Sequence, residues 1–409
     1  MSSKLNPTDA VIVSYRRTPF GRARKGSFAN ERPEDLALAA TGAALADVPG
    51  LDPNALDDFF LGTAVPEGAQ GDNAARRVAV YAGYDGLPGV TINRFCASSL
   101  QAVASAARAI RSGDGDAYLA GGMESTSSTP PNTQHPYPAD ARNTDDAGTR
   151  LLAVLSGDRE WADPRKTNAR PDVYVPMGVT AEIVARLTRT SRQEQDAWAL
   201  ESQHRAAAAV DSGFFAREIA PYRRADGSLV SADDGPRPDT TLEVLAGLLP
   251  AFHPTGTVTA GNASPLNDGA SAMVLMSARR AAELGVTPRA RILGATAGAL
   301  SPEIMGLGPV PATEKLLARL GLSIDDIDLI ELNEAFAAQV IPSVERIRAD
   351  PQKVNVNGGA IALGHPFGAT GVRLTGTLVN ALEDRDGTLG LATLCVGGGQ
   401  GMALALERL

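Results

Sequence analysis

Four residues are of a type that could carry chemistry, and each sits where the chain must turn. Cys96 lies in NRFCASSLQAV, between the β-branched run Val90-Thr91-Ile92 and an apolar helical pattern. A thiol at a helix start is stabilised as thiolate by unpaired N–H groups and by the macrodipole, so this placement is expected to lower its pKa. A sharp strand-to-helix turn also holds a nucleophile at a sheet edge, by the logic of the serine elbow of hydrolases. The plain alternative is a buried cysteine acting as a small hydrophobe. His365 lies in GGAIALGHPFGATG, where glycine and proline leave the ring little choice of position. Of the other histidines, His135, His204 and His253, the second falls in a helical run and the third beside Pro254, which suits surface or packing roles. Cys395 precedes Val396-Gly397-Gly398-Gly399. A thiol there could exchange protons, with neighbouring backbone N–H groups free to bind an oxyanion; a packed core thiol is the alternative. Asn333 closes the strand pattern IDLIEL and could orient a water or donate to a carbonyl, or simply cap a turn.

Several other chemistries find no support. The two cysteines are far apart and no paired Cys/His spacing exists, so no metal is expected. There is no GxxxxGK[ST] and no GxGxxG after a first strand, against nucleotide hydrolysis and Rossmann dinucleotide binding.

The elements that must position these residues read as α/β. Short β-branched runs alternate with Ala-rich helical patterns, which predicts a largely parallel sheet. The helix after Cys96 carries Leu100, Val103, Ala107 and Ile110 on one face and ends at Gly113, a C-cap signal. The chain also repeats itself. LDDFFLGTA (56–64) resembles IDLIELNEA (327–335), and DAYLAGGMES resembles LATLCVGGGQG at nearly the same offset. Between each pair lies a turn opening an apolar helix, at Cys96 in one copy and at His365 in the other. Two copies of one α/β unit would bring both helix starts to one face, and a Cys–His pair follows. The middle of the chain breaks this pattern with many prolines, with DARNTDDAGTR and with DGSLVSADDGPRPDT. It holds helical stretches over Thr180–Leu187 and Ser191–Val210, the second with a capping box at Ser191–Glu194. Such an insertion suits a lid or binding element, its charge runs a solvated surface.

Composition bounds the class. A chain of 409 residues suggests two or three domains at about 150 residues each. Hydrophobic residues at 44% and charged residues at 21% exclude general disorder, and two cysteines exclude a disulfide scaffold and point to a reducing compartment. With 38 Lys+Arg against 47 Asp+Glu the net charge is −9, which disfavours nucleic acid as a partner. No apolar run approaches the roughly 18 residues of a membrane span, and MSSKLNPTDA has no targeting character, so a cytoplasmic location is expected.

Seven segments together resemble the thiolase family over essentially the whole chain. They are RTPFG (17–21), NRFCASSLQAV, GGMES (121–125), TVTAGNASPLNDGASA (257–272), NEAF (333–336), GHPFGATG (364–371) and CVGGGQG (395–401), in family order. The resemblance implies a five-layered α-β-α-β-α fold of two similar halves. The first half covers 1–120, completed by about 250–275; the inserted loop domain covers 121–250, and the second half 276–409. It implies a homodimer or homotetramer, coenzyme A as co-substrate, and no prosthetic group; a hydratase/dehydrogenase partner stays open. By resemblance Cys96 is the nucleophile, His365 its activator and Cys395 the second acid/base. Two oxyanion sites follow: His365 with a water held by Asn333, and the N–H groups of Cys96 and Gly397. CoA contacts map to Met177, Ser264, Ala335 and Phe336, and its phosphates to Arg223 or Arg224. Acetoacetyl-forming thiolases carry His before the Met-Gly of the CoA pocket, whereas this chain has Pro176 before Met177-Gly178, as degradative thiolases do. The Phe of GHPFGATG resembles trifunctional-enzyme β subunits. The expected activity is therefore acetyl-CoA acyltransferase, with acetoacetyl-CoA-specific acetyl-CoA acetyltransferase as the alternative. Ketoacyl synthases replace the second Cys by His and lack NEAF; lipid-transfer thiolases carry an HDCF-like motif. A catalytically dead acyl-CoA-binding scaffold would not need all three reactive positions.

Overall fold

The structure is a computed structural model that describes residues 5–129 and 147–409. His135, the prolines from 130 to 138 and most of DARNTDDAGTR lie outside the described residues. The first half contains β1 (Ala10–Arg17), β2 (Gly21–Arg22), α1 (Pro33–Ala46), β3 (Asp58–Gly62), α2 (Ala74–Tyr81), β4 (Gly89–Ile92), α3 (Ser98–Ser112) and β5 (Ala117–Ser125). The excursion that follows carries α4 (Ala147–Ser156), α5 (Met177–Thr188), α6 (Arg192–Asp211), the hairpin β6 (Tyr222–Arg223) and β7 (Leu229–Val230), and α7 (Leu242–Ala246). Then come β8 (Asn267–Ser277), α8 (Ala278–Leu284), β9 (Ala290–Ala299), α9 (Pro309–Leu320), β10 (Leu329–Leu332), α10 (Ala337–Ile347), α11 (Ala360–Leu363), α12 (Thr370–Asp384), β11 (Leu389–Val396) and β12 (Gln400–Arg408). Strand β5 runs to Ser125, so the first unit continues five residues past 120 before the excursion begins.

Apart from the β6–β7 hairpin and β2, which pairs with β8, the strands form one hydrogen-bonded series in the order β10-β11-β12-β9-β1-β8-β5-β3-β4. Its two halves match about the centre: β1, β8, β5 and β3 correspond to β9, β12, β11 and β10. Where β4 flanks β3, a bridge from Val354 flanks Ile330. The expectation of a largely parallel sheet is corrected. Parallel pairing is confined to β3·β4, β3·β5 and β10·β11, where helices make the crossovers. The other ladders are antiparallel. The physical reason is visible at β11 and β12, which are joined through Gly397-Gly398-Gly399. Gly398 and Gly399 take φ of +74° and +79°, a tight reversal that can connect only antiparallel strands.

Strand alternation builds the five layers. In β8, Met273 and Leu275 face a core shared with α3 and α12, while Val274 and Met276 face α1 and α2. In β12, Met402, Leu404 and Leu406 face the same central helices, while Ala403 and Ala405 face α9 and α10. Helices α3 and α12 are thus the middle layer, buried between the two halves of the sheet. They approach closely because Gly371 lies against the Leu100 backbone, where a Cβ would collide. Helix α3 ends in a left-handed Gly113 (φ +83°) and α6 begins with the Ser191–Glu194 capping box, both as the sequence predicts. Buried ion pairs dock the excursion onto this frame. Arg17 bonds Glu218 at 2.7 Å and Asp233 at 2.7 and 2.9 Å, and Arg150 pairs with Glu303.

Candidate active site

The turn between β4 and α3 is held by side chains on either side of Cys96. Phe95 adopts φ of +43°, a left-handed conformation uncommon for a non-glycine residue. Its N–H donates to Asn93 Oδ1 at 2.7 Å, while Ser98 Oγ accepts from Arg94 N at 2.9 Å and donates to Phe95 O at 2.6 Å. Cys96 is left half-buried two residues before the first regular residue of α3. Its thiol pKa does not fall as the helix start alone would suggest: burial pushes it up to about 12, against the Gly397 N–H and its own N–H, which act to lower it. The charge of Glu124 adds to the rise. Desolvation of an anion here outweighs the helix start, and the resting group is a thiol.

His365 follows Gly364, whose φ is +106°, and its N–H donates to Asn267 Oδ1 at 2.9 Å. The ring is fixed on three sides. Nδ1 is 2.6 Å from Thr370 Oγ1, Nε2 is 3.2 Å from Asn333 Nδ2, and Phe367 packs edge-on with ring centroids 5.0 Å apart. Burial, with the positive charge of Arg373, lowers its pKa to about 3, so the imidazole is neutral at physiological pH. Asn333, at the end of β10, is fully buried, and its Oδ1 has no hydrogen-bond partner among the described residues.

The two helix starts do come to one place. Val372 N donates to Ser99 Oγ at 3.1 Å, joining the first turns of α12 and α3. Glu124, buried near the end of β5, accepts from Ala64 N and Gly368 N, both at 2.8 Å, and from Gln70 Nε2 at 2.9 Å. It thereby ties the loop after β3 to the loop that carries His365. Cys395, the penultimate residue of β11, is buried, and burial first and then the proximity of Cys96 raise its thiol pKa. The backbone N–H of Gly397 meets Cys96 from the second half.

A second wall leads away from these residues. Ser264 N and Oγ donate to Ala335 O at 3.0 and 3.2 Å, and Ala263 bridges Phe336. Phe336 meets Phe252 edge-on at 6.1 Å, and Met177 begins α5 partly exposed. A cleft of about 380 Å³ runs along Phe252, Ala263, Ser264 and Leu266 to Arg22, Arg24, Lys25 and Arg237. None of these four cations is ion-paired among the described residues. Burial and the charge of Arg22 lower the Arg237 pKa, the mark of a cation lacking a counter-charge. Of the two cations expected at the phosphates, Arg224 lines a cavity with Arg22 and Lys25, while Arg223 lies on β6. Arg223 bonds Gly227 O within its own hairpin, and Arg224 pairs with Asp226. His204 is exposed on α6 and His253 bonds Thr255, both outside the site.

Four residues around the site went unassigned by sequence reasoning: Glu124, Asn267, Glu334 and Thr370. Glu334 accepts from Trp198 Nε1, Ser202 Oγ, Asn355 Nδ2 and Ile361 N, fixing the turn after Asn333. A carboxylate inside an otherwise apolar strand end, as in GGMES and IELNEAF, is the signal that could have found two of them, since a buried charge requires donors.

Residues 10–279 match the family model described as Thiolase, N-terminal domain, and 286–408 match Thiolase, C-terminal domain. The chain is 47% identical over 406 residues to the beta-ketoadipyl-CoA thiolase of Pseudomonas aeruginosa, covering 98% of this chain and 99% of the relative. It is 44% identical over 413 residues to the 3-ketoacyl-CoA thiolase of Saccharophagus degradans, covering 99% of each. The crystal structure of human mitochondrial 3-ketoacyl-CoA thiolase in complex with CoA superposes with a TM-score of 0.84 at 36% identity, covering 100% of both chains.

Proposed function

Because the chain belongs to the thiolase family, we propose that it cleaves 3-ketoacyl-CoA with a second CoA, giving acetyl-CoA and an acyl-CoA shortened by two carbons. It is an acyltransferase, and the reaction runs reversibly through two half-reactions on one cysteine. The observation that carries the assignment of roles is the contact between Asn333 Nδ2 and His365 Nε2, together with the Val372 N to Ser99 Oγ hydrogen bond that joins the helix starts following His365 and Cys96.

His365 Nε2 takes the proton of Cys96, whose thiolate attacks the 3-keto carbon. The Cα–Cβ bond breaks, its electron pair passing to the departing acetyl-CoA as an enolate, and Cys395 gives that carbon its proton. A thioester remains on Cys96. Cys395 then takes the thiol proton of a second CoA, whose thiolate attacks the thioester and releases the shortened acyl-CoA. A thiol with a raised pKa suits the first task of Cys395, since it stays protonated until a strong carbon base is present. The N–H groups of Cys96 and Gly397 stabilise the tetrahedral oxyanion, and His365 with a water on Asn333 stabilises the enolate. The buried, unpartnered Oδ1 fits an acceptor for such a water. Each donor of this kind is worth about 3–4 kcal/mol in the transition state.

The human thiolase structure holds CoA, and the reading places the same ligand along the cleft that Ser264 lines here. Met177, Ser264, Ala335 and Phe336 line the pantetheine, and Arg22, Arg24, Lys25 and Arg237 take the phosphates. The outermost strand β4, with Val90, Val80 and Tyr81 exposed around it, suits a homodimer or a homotetramer built from it. Among the described residues no helix is long and apolar enough to cross a membrane, and the reading keeps the cytoplasmic location.

The test is CoA-dependent thiolysis over a panel from acetoacetyl-CoA to long-chain 3-ketoacyl-CoA, including one acyl group that ends in a carboxylate. Activity that rises beyond four carbons establishes the broad acyltransferase. Activity confined to acetoacetyl-CoA establishes the acetyltransferase instead, and none at all refutes both.

A further inference from the structure

We propose that Thr370 is a positioning residue that holds His365 in the tautomer with the proton on Nδ1, so that Nε2 is the unprotonated nitrogen, which takes the Cys96 proton when its long 3.2 Å contact with Asn333 gives way. The inference rests on the reading above, in which His365 is the base. A neutral imidazole carries one N–H, and which nitrogen bears it is set by the partner of the other. Thr370 is fully buried at the first position of α12. Its Oγ1 is 2.8 Å from Pro366 O, four residues back, and 2.6 Å from His365 Nδ1. A carbonyl oxygen only accepts, so the single hydroxyl proton directed to Pro366 O leaves Oγ1 as an acceptor facing Nδ1.

The opposite side of the ring makes the same demand. Asn333 presents Nδ2, a donor, 3.2 Å from Nε2, which satisfies it only if Nε2 carries the lone pair. The other tautomer would set N–H against N–H there and offer Cys96 no acceptor. One direction of donation therefore runs through the group: Asn333 to His365, His365 to Thr370, Thr370 to Pro366. Its end point is a backbone carbonyl at the start of α12, which already takes the N–H groups of Ala369 and Thr370. In the competing arrangement the hydroxyl proton turns from Pro366 O to Nδ1, and the Nε2–H then faces the Asn333 NH₂, which cannot accept it.

The experiment uses the full-length protein labelled with ¹⁵N-histidine, with His365 assigned by its loss in His365→Asn, alongside Thr370→Val and Thr370→Ser. In the wild type Nε2 should resonate as pyridine-like and Nδ1 as pyrrole-like at pH 7. Thr370→Val, of nearly the same shape, should lower kcat for thiolysis by about 10–100-fold, the range found when a group orienting a metal-bound histidine is lost. KM for CoA should stay within about twofold, since Thr370 touches no CoA contact, and Thr370→Ser should recover most of kcat. A wild type with pyridine-like Nδ1, or a Thr370→Val enzyme with unchanged kcat, overturns the proposal. If Thr370→Val does not fold, the wild-type resonances and Thr370→Ser still decide it. Wild-type protein that cleaves no 3-ketoacyl-CoA would refute the functional reading, while the nitrogen resonances would still report the tautomer.

Discussion

Replacing Glu124 by glutamine should cost far more than the loss of a surface charge. The carboxylate accepts from five donors and lies wholly inside the protein. Oε2 takes Ala64 N and Gly368 N at 2.8 Å; Oε1 takes Gln70 Nε2 at 2.9 Å, Val65 N at 3.3 Å and Thr63 Oγ1 at 3.5 Å. An amide keeps one oxygen and turns its NH₂ toward the remaining donors. Whichever way it is rotated, at least two N–H groups then face another N–H. A buried donor left unsatisfied costs about 1–3 kcal/mol, so the loss should be about 2–6 kcal/mol. Burial, which raises the Glu124 pKa, offsets part of this because a neutral amide is easier to desolvate. The loss falls on the seam between the loop after β3 and the loop carrying His365, so kcat should drop along with stability. Urea unfolding gives the first quantity and thiolysis the second. Glu124→Gln within about 0.5 kcal/mol of wild type, with kcat unchanged, would refute the idea that this carboxylate fastens the two halves of the site.

Alkylation of Cys96 by a neutral reagent should rise nearly tenfold per pH unit from pH 6 to 9, because a thiol with a pKa of about 12 is still losing its proton throughout that range. A plateau in the rate below pH 8, followed by mass spectrometry, would mean a preformed thiolate. His365 is depressed to about 3 in the native protein but near 6.5 when unfolded, so the unfolded chain binds the extra proton between those values. Its contribution to stability is present above about pH 6.5 and is lost at about 1.4 kcal/mol per unit as pH falls. The stability of His365→Gln relative to wild type should therefore improve by about 2–3 kcal/mol between pH 7 and pH 4.5; a constant difference in urea unfolding would sink this. Gly371→Ala would drive a methyl into the Leu100 backbone and should destabilise by about 1–3 kcal/mol or more, read as a lowered thermal midpoint.

Much of this architecture is legible in the sequence because the chain states it twice. The paired segments at 56–64 and 327–335 became β3 and β10, and those around Gly121 and Gly397 became β5 and β11. The turns at Cys96 and His365 became the first turns of two helices packed side by side. Strand direction was not legible, because β-branched runs look alike in either orientation and the reversal was carried by φ angles at Gly398 and Gly399. The direction of the Cys96 pKa was misjudged for a related reason. The helix start is a local feature of the sequence, but desolvation depends on how the folded chain buries the sulfur, and the Glu124 charge that adds to the rise comes from β5. Arg223 and Arg224 were chosen as cations in the right region. Only the folded chain shows that Arg224 is paired with Asp226 and that Arg22 and Arg237, distant in sequence, share one cleft.

Strand β1 spans Ala10–Arg17, yet its two neighbours are β8 and β9, which begin at Asn267 and Ala290. A ribosome adding about 5–20 residues per second needs roughly 13–50 s to deliver the end of β8 after β1 has emerged. Throughout that interval AVIVSYRR has neither flanking strand to pair with, and the first half of the molecule is a sheet missing its middle. Nascent chains of this protein should consequently be clients of holding chaperones, and a fragment ending before 267 should fail to fold even though it contains Cys96 and the whole of its turn.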